Sequence, residues 1–249
     1  MSDEYPIKAV HTCFRILTEI HNREGAGVSE LARSLDLSKA GVHKHLQTLS
    51  QLGYLSRDGD EYCIALGFLG LGLTARSRFR VYQVSTSLLR DLAETSGYVA
   101  SLSSHQNGNG ICVAQTCAND SLTYPTREGD RISLHATAAG KAMLAYRPVE
   151  EIERYLTDGL DPITPKTITN SDEFRRELQS ARDRRVVFDR EESREGWQSV
   201  ASPITDLDQV AIAAVSVSGP VDKLTGKRLE EDITGLVVST AKSIENRLL

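Results

Sequence analysis

Residues 38–53 read SKAGVHKHLQTLSQLG, with two lysines, two histidines and three hydroxyl side chains but no Asp or Glu, in a chain of net charge −5. Groups of this kind donate hydrogen bonds and meet a phosphate without repulsion. The apolar residues Val42, Leu46 and Leu49 fall at i, i+4 and i+7, one helical seam, which leaves the polar residues on the other face. Elsewhere, Asp189, Lys141 and several serines are able to do acid–base chemistry. No nucleophile elbow, P-loop, metal-ligand cluster or dinucleotide fingerprint accompanies them.

The surrounding sequence sets that helix in a frame. Ile7, Val10, Phe14, Leu17 and Ile20 recur at intervals of three and four, which predicts an amphipathic first helix stopped by EGAG. Ser29 is placed to cap a short second helix, ELARSL, with Leu31, Ala32 and Leu35 turned inward. DLS is a tight turn, Ser38 caps the third helix, and Gly53 ends it at a position where positive φ costs glycine little. Asp58-Gly59 then marks a hairpin between two short strands. Three helices and a hairpin in this order predict a winged helix-turn-helix. The outer face of the third helix would contact bases and phosphates through Ser38, Lys39, Ala40, Gly41, Lys44, His45 and Thr48, with Arg57 on the wing. Residues 1–66 hold 7 Lys/Arg against 9 Asp/Glu, so any basic character is local. A charge-poor helix can also be a packing helix, and a winged helix can also bind protein.

GFLGLGLTARSRFR predicts a helical linker over 67–80, whose leucines and Phe68 could pair with a second copy of the chain. Beyond it, VYQVSTSLLRDLAETSG reads as an amphipathic helix, and two strand-like runs joined by NGNG as a hairpin. SLTYPTREGDRISLH continues in extended form. TAAGKAMLAY is a short helix, Pro148 opens another, and Ser171 is placed to cap a third. Strands at VVFD, SVASPIT and VAIAAVSVS precede a terminal helix with Asp222 as its expected cap. The predicted class is α+β: residues 1–66 a DNA-binding domain, 67–80 a linker, and 81–249 an antiparallel sheet flanked by helices.

With 249 residues, 40% hydrophobic and 25% charged, the chain has enough apolar material for two cores. No apolar run approaches the roughly 18 residues of a membrane span, and MSDEYPIKAV has no signal-peptide pattern, so the cytoplasm is the expected compartment. Cys13, Cys63, Cys112 and Cys117 form no C-x-x-C pair, and buried free thiols are the simplest reading. No cofactor or metal is expected.

The chain resembles the IclR family of bacterial and archaeal transcription regulators over nearly its whole length. SLHATAAGKAMLAY at 133–146 is the most specific segment, supported by TPKTIT, FDREE, EGWQSVASPI and AAVSVSGP. VSELARSLDLSKAGVHKHLQTLSQLGYL resembles the family's winged helix. The resemblance implies a GAF-like effector domain, a homodimer or dimer of dimers, and double-stranded operator DNA of two-fold symmetry. It also implies a cup for a small organic acid. One side of the cup is the amides of Ala138 and Ala139, a helix start suited to a carboxylate. The matching side-chain positions are Asp189, Ser199, Ser216 and Ser218, with Trp197 as an apolar wall. Ser216 and Ser218, two apart on one strand, share a face, and Asp189 can accept from a ligand hydroxyl. Two positions depart from the family pattern: Ser199 stands where Cys is common, and Arg185 where Gly is frequent. His135 reads as a structural histidine, and Lys141 could snorkel to solvent rather than touch a ligand. A regulator that responds to a small organic or sugar-derived acid is therefore expected. The competing readings are an enzyme with a fused DNA-binding head and an architectural protein that senses nothing.

Overall fold

The computed structural model describes residues 5–118 and 126–249. The chain divides into two compact units, Met1–Ala75 and Arg76–Leu249.

In the first unit, α1 (Lys8–Arg23), β1 (Ala26–Gly27), α2 (Val28–Ser34), α3 (Lys39–Gln51), β2 (Leu55–Asp58) and β3 (Glu61–Ile64) precede α4 (Gly67–Ser77). The core is Ile16, Leu17 and Ile20 of α1 with Leu31, Val42, Leu46, Leu49 and Leu55. The strands form a three-stranded antiparallel wing in the order β1-β3-β2. Only the second half of the expected apolar row on α1 is core. Ile7, Val10 and Phe14 are exposed, because nothing else in this unit covers them. α4 forms despite its glycines; Phe68 packs on Tyr54 with ring centroids 4.7 Å apart, while Leu66, Leu69, Leu71 and Leu73 are exposed. The expected cap at Ser29 is corrected: α2 begins at Val28, with Gly27 at the N-cap and no side-chain cap bond.

The second unit opens with α5 (Arg80–Ser96), β4 (Val99–Gln106) and β5 (Asn109–Cys117). Asn107 and Gly108 both have positive φ (51° and 77°), the conformation a two-residue hairpin turn requires. Of the extended stretch expected next, residues 119–125 lie outside the described residues, and Arg131–Ile132 form the short β6. Then come α6 (Ala138–Leu144), α7 (Val149–Thr157), α8 (Ser171–Arg184), β7 (Val187–Arg190), β8 (Trp197–Thr205), β9 (Ala211–Pro220) and α9 (Thr234–Leu248). Asn170, not Ser171, caps α8, accepting from the amides of Asp172 and Glu173 at 3.0 Å. Asp222 lies in a turn, and the last helix is entered through a π-helical segment, Arg228–Ile233, so the expected cap there is also corrected.

The sheet is antiparallel, in the order β6-β5-β4-β9-β8-β7. Alternate residues point to opposite faces. Ala100, Leu102, Val200, Ile204, Val215 and Val217 pack with Leu89 of α5 and Val237 and Ile244 of α9. Ala201 and Ala214 face the other way, onto Ala142, Met143 and Leu144 of α6 and Phe174 and Leu178 of α8. With helices on both sides, the central strands have no solvent face, so VAIAAVSVS is almost free of charge. α6 lies very close to the preceding chain. A Cβ added at Gly140 would sit 2.4 Å from the Ser133 carbonyl oxygen, so only glycine permits that approach.

Candidate functional site

α3 carries its seam on Val42, Leu46 and Leu49, all buried. The residues between them point away from the core: Lys39, Ala40, Lys44 and Thr48 are exposed, and Gly41 and His45 half-buried. Ser38 accepts the Gly41 amide at 3.1 Å, an N-cap that leaves its hydroxyl proton able to donate outward. Thr48 donates to the Lys44 carbonyl at 2.9 Å. On the wing, Arg57 is exposed and lies against its own hairpin, 2.8 Å from the Gly59 carbonyl and 3.3 Å from Asp60, with its guanidinium 5.8 Å from the Tyr62 ring. No acidic side chain lies on the face of α3.

In the second unit a cavity of about 20 Å³ lies between the sheet and α6. Of the expected effector residues, Ala139, Ser199, Ser216 and Ser218 line it together. Ala138, Asp189 and Trp197 are not among the lining. The lining also includes Ser101 and Ser103 of β4, Cys112 of β5, Ile132 and Thr137, and Thr126 ahead of β6. Sequence reasoning passed over these, yet Ser101 and Ser103 alternate with the core residues Ala100 and Leu102 just as Ser216 and Ser218 alternate with Val215 and Val217. That period of two was the available signal. Thr137 is the N-cap of α6, accepting from the Gly140 amide at 3.0 Å and donating to the Ser133 carbonyl at 2.6 Å. Burial pushes the Cys112 thiol up to about 12, reinforced by Glu128 and Asp130, so it lines the cavity as a neutral thiol.

Asp189 pairs in register with Ser199. Its carboxylate is engaged by its own turn: Oδ1 accepts from the amides of Glu192 (2.7 Å) and Ser193 (3.2 Å), and Oδ2 from the Ser193 hydroxyl (2.5 Å). Burial pushes this carboxyl above the ordinary range, against the pull of those bonds and of Lys141. Lys141 corrects an expectation. Its side chain has no exposed surface; Nζ lies 2.6 Å from Glu192 Oε1 and 3.0 Å from Glu177 Oε1. The ammonium thus ties α6 to α8 and to the turn that Asp189 holds, and Glu192 Oε2 is buried with no hydrogen-bond partner among the described residues. His135 is bonded on both ring nitrogens, to Ser133 and Tyr155 on one side and to the Asp161 carbonyl on the other. Arg185 has φ 57°, a left-handed helix end that favours glycine; its guanidinium reaches Glu245 at 2.6 Å. Among the described residues no cluster of His, Cys, Asp and Glu could hold a metal ion, and no helix is long and apolar enough to cross a membrane.

Residues 14–59 match the family model of the IclR helix-turn-helix domain, and residues 73–246 that of the bacterial transcriptional regulator IclR C-terminal domain. A probable HTH-type transcriptional regulator, ArcR of Halobacterium salinarum, is 30% identical over 250 residues, covering 97% of this chain and 94% of that protein. Among solved structures, the IclR of Thermotoga maritima superposes with a TM-score of 0.74 at 28% identity, over 97% of each chain. An IclR homolog from Microbacterium hydrocarbonoxydans, complexed with 4-hydroxybenzoate, shares the fold with a TM-score of 0.81 at 20% identity, over 96% of this chain and 98% of that one.

Proposed function

Since this chain belongs to the IclR family, whose members are non-enzymatic DNA-binding transcription regulators with a C-terminal effector domain, we propose that it controls catabolic genes in response to a small organic or sugar-derived acid held in the cavity beneath α6. One observation carries the effector half of this reading: three serines from two strands and the first turn of α6 line one cavity. The amides of Ala138 and Ala139, at the start of α6, have no intrahelical acceptor and suit a carboxylate. The serine hydroxyls both donate and accept, so they can bind the rest of the acid. Asp189 pairs in register with Ser199 and Trp197 lies two residues before it, and neither lines the cavity. The complex of a relative with 4-hydroxybenzoate supports an acid as the class of ligand. Among the described residues, no group placed to activate a nucleophile lines the cavity, which favours binding without turnover.

On the DNA side, the exposed acid-free face of α3 enters the major groove and Arg57 of the wing meets the backbone. Two copies pair through the exposed apolar residues Ile7, Val10 and Phe14 on and beside α1 and Leu66, Leu69, Leu71 and Leu73 on and beside α4. Pairing doubles the short site that one helix-turn-helix reads and gives an operator of two-fold symmetry. The test is a footprint on genomic DNA, repeated with a panel of small acids, together with light scattering. A two-fold-symmetric protected site, a response to an acid that is not consumed and a dimeric mass are the expected results. Consumption of the acid would favour an enzyme, no response to any acid an architectural role, and a monomer that binds DNA tightly would overturn the pairing.

A further inference from the structure

What the far end of the effector must carry is written in the strand register; this inference rests on the reading that an acid occupies the serine cavity. β4, β9 and β8 are neighbours. Ser101 pairs with Ser216, and Ser218 pairs with Ser199. Ser103 stands two residues beyond Ser101, so the five serines form three successive rungs on one face of the sheet. Each is at most 6% exposed. Among the described residues, the one side-chain hydrogen bond made to any of them is from Gln115 Nε2 to Ser101 Oγ, at 3.4 Å. It leaves the Ser101 proton free to donate.

The sheet accepts alanine freely on this face, at Ala201 and Ala214. The serines beside them are thus not required by packing; their hydroxyls open onto the cavity, where a ligand with several oxygens can pair with them. The rest of the lining narrows the ligand further. Thr137 is already committed as a cap, Cys112 is a neutral thiol, and none of the described lining residues is charged or aromatic. An apolar ring would leave most of these hydroxyls without a partner.

We propose that the effector is an open-chain polyhydroxy acid of three or four carbons, and that Ser101 and Ser103, with Ser216 and Ser218, select it by its adjacent hydroxyls. Successive rungs lie roughly 7 Å apart along a strand and neighbouring strands about 4.8 Å apart. A short chain with an oxygen on each carbon spans two rungs and bridges the two strands once the cavity, which as it stands holds about one water, widens around it. Ser101 and Ser103 set specificity, whereas the carboxylate end is bound elsewhere in the cavity.

Calorimetry on the full chain tests this with glycerate and a four-carbon tetronate against lactate, 3-hydroxypropionate, propionate and 4-hydroxybenzoate. The two polyhydroxy acids are expected to bind tightest, with each missing hydroxyl weakening binding by roughly 2- to 12-fold. Ser101→Ala/Ser103→Ala is expected to abolish the preference for glycerate over lactate. Equal binding of glycerate, lactate and propionate, or a preference for 4-hydroxybenzoate or for a six-carbon acid, overturns the polyhydroxy class while the acid pocket stands. Binding of no acid at all removes the acid pocket and this inference with it. Should the serine variants fail to fold, the wild-type ranking still decides the class.

Discussion

α3 presents Lys39, Ala40, Lys44 and Thr48 to solvent from a helix whose opposite side is core. The cavity of the second unit is assembled the other way round, from serines buried on three strands and alternating with core residues, under a helix anchored by a wholly buried lysine. On the first surface a side chain can be changed with little effect on folding, because it touches nothing inside. At the second, recognition and stability share the same atoms and their neighbours. The two regions should therefore separate cleanly when probed: function without stability at α3, stability and function together at the cavity.

The sharpest contrast is expected at Lys141. Lys141→Met removes the ammonium and leaves Glu192 buried without its partner. Breaking a buried pair in this way costs about 3–5 kcal/mol, to be read from urea denaturation at pH 7. A change under 1 kcal/mol would mean that the pair anchors nothing, and the contrast would weaken.

Glu245 offers a second, smaller effect in the same unit. Burial alone would raise its carboxyl, but the amide and hydroxyl of Thr205 and the guanidinium of Arg185 outweigh burial and hold it below the ordinary value of 4.5. The unfolded chain therefore takes up the proton first. The stabilisation is whole above about pH 4.5 and is lost as pH falls through the depressed folded value. Glu245→Gln should cost about 1.5–3 kcal/mol at pH 7, the range for hydrogen bonds to a charged group. Thermal melts from pH 7 to pH 3 should show the gap to wild type closing only below about pH 4.5. A gap that widens on acidification would contradict this.

Lys44 lies at the other extreme. Lys44→Ala should leave the melting temperature within about 1 °C, since exposed substitutions change stability little, yet weaken DNA binding and reduce the salt slope of the binding constant by about one. Fluorescence anisotropy across a salt series measures both. An unchanged slope with unchanged affinity would take Lys44 out of the interface.

The same difference governs how much of each region could be read from the sequence. α3 was legible because its seam, cap and polar face are all set within sixteen residues: Ser38 caps it, Val42, Leu46 and Leu49 bury it, and Gly53 with φ 78° ends it. The cavity was legible only in part. Ser216 and Ser218 show their shared face within one strand, whereas Ser101 joins them through a pairing more than a hundred residues away in the chain. Lys141 was misread for the same reason. Nothing near it in sequence announces Glu177 or Glu192, which α8 and the turn after β7 bring to it. The exposed half of α1 was misread because periodicity reports an apolar face without saying what covers it.

The central claim is that occupancy of the serine cavity governs DNA binding, and it is tested most directly by anisotropy on a DNA fragment recovered by footprinting. Affinity would be measured with and without the acid that binds the wild type most tightly, for wild type and for Ser216→Ala/Ser218→Ala. The account predicts that the acid changes wild-type affinity for DNA about tenfold or more, within the usual range of allosteric coupling. The double variant should bind DNA as wild type does without the acid and lose most of the response at the same acid concentration. A double variant that responds to the acid as fully as wild type would contradict the account.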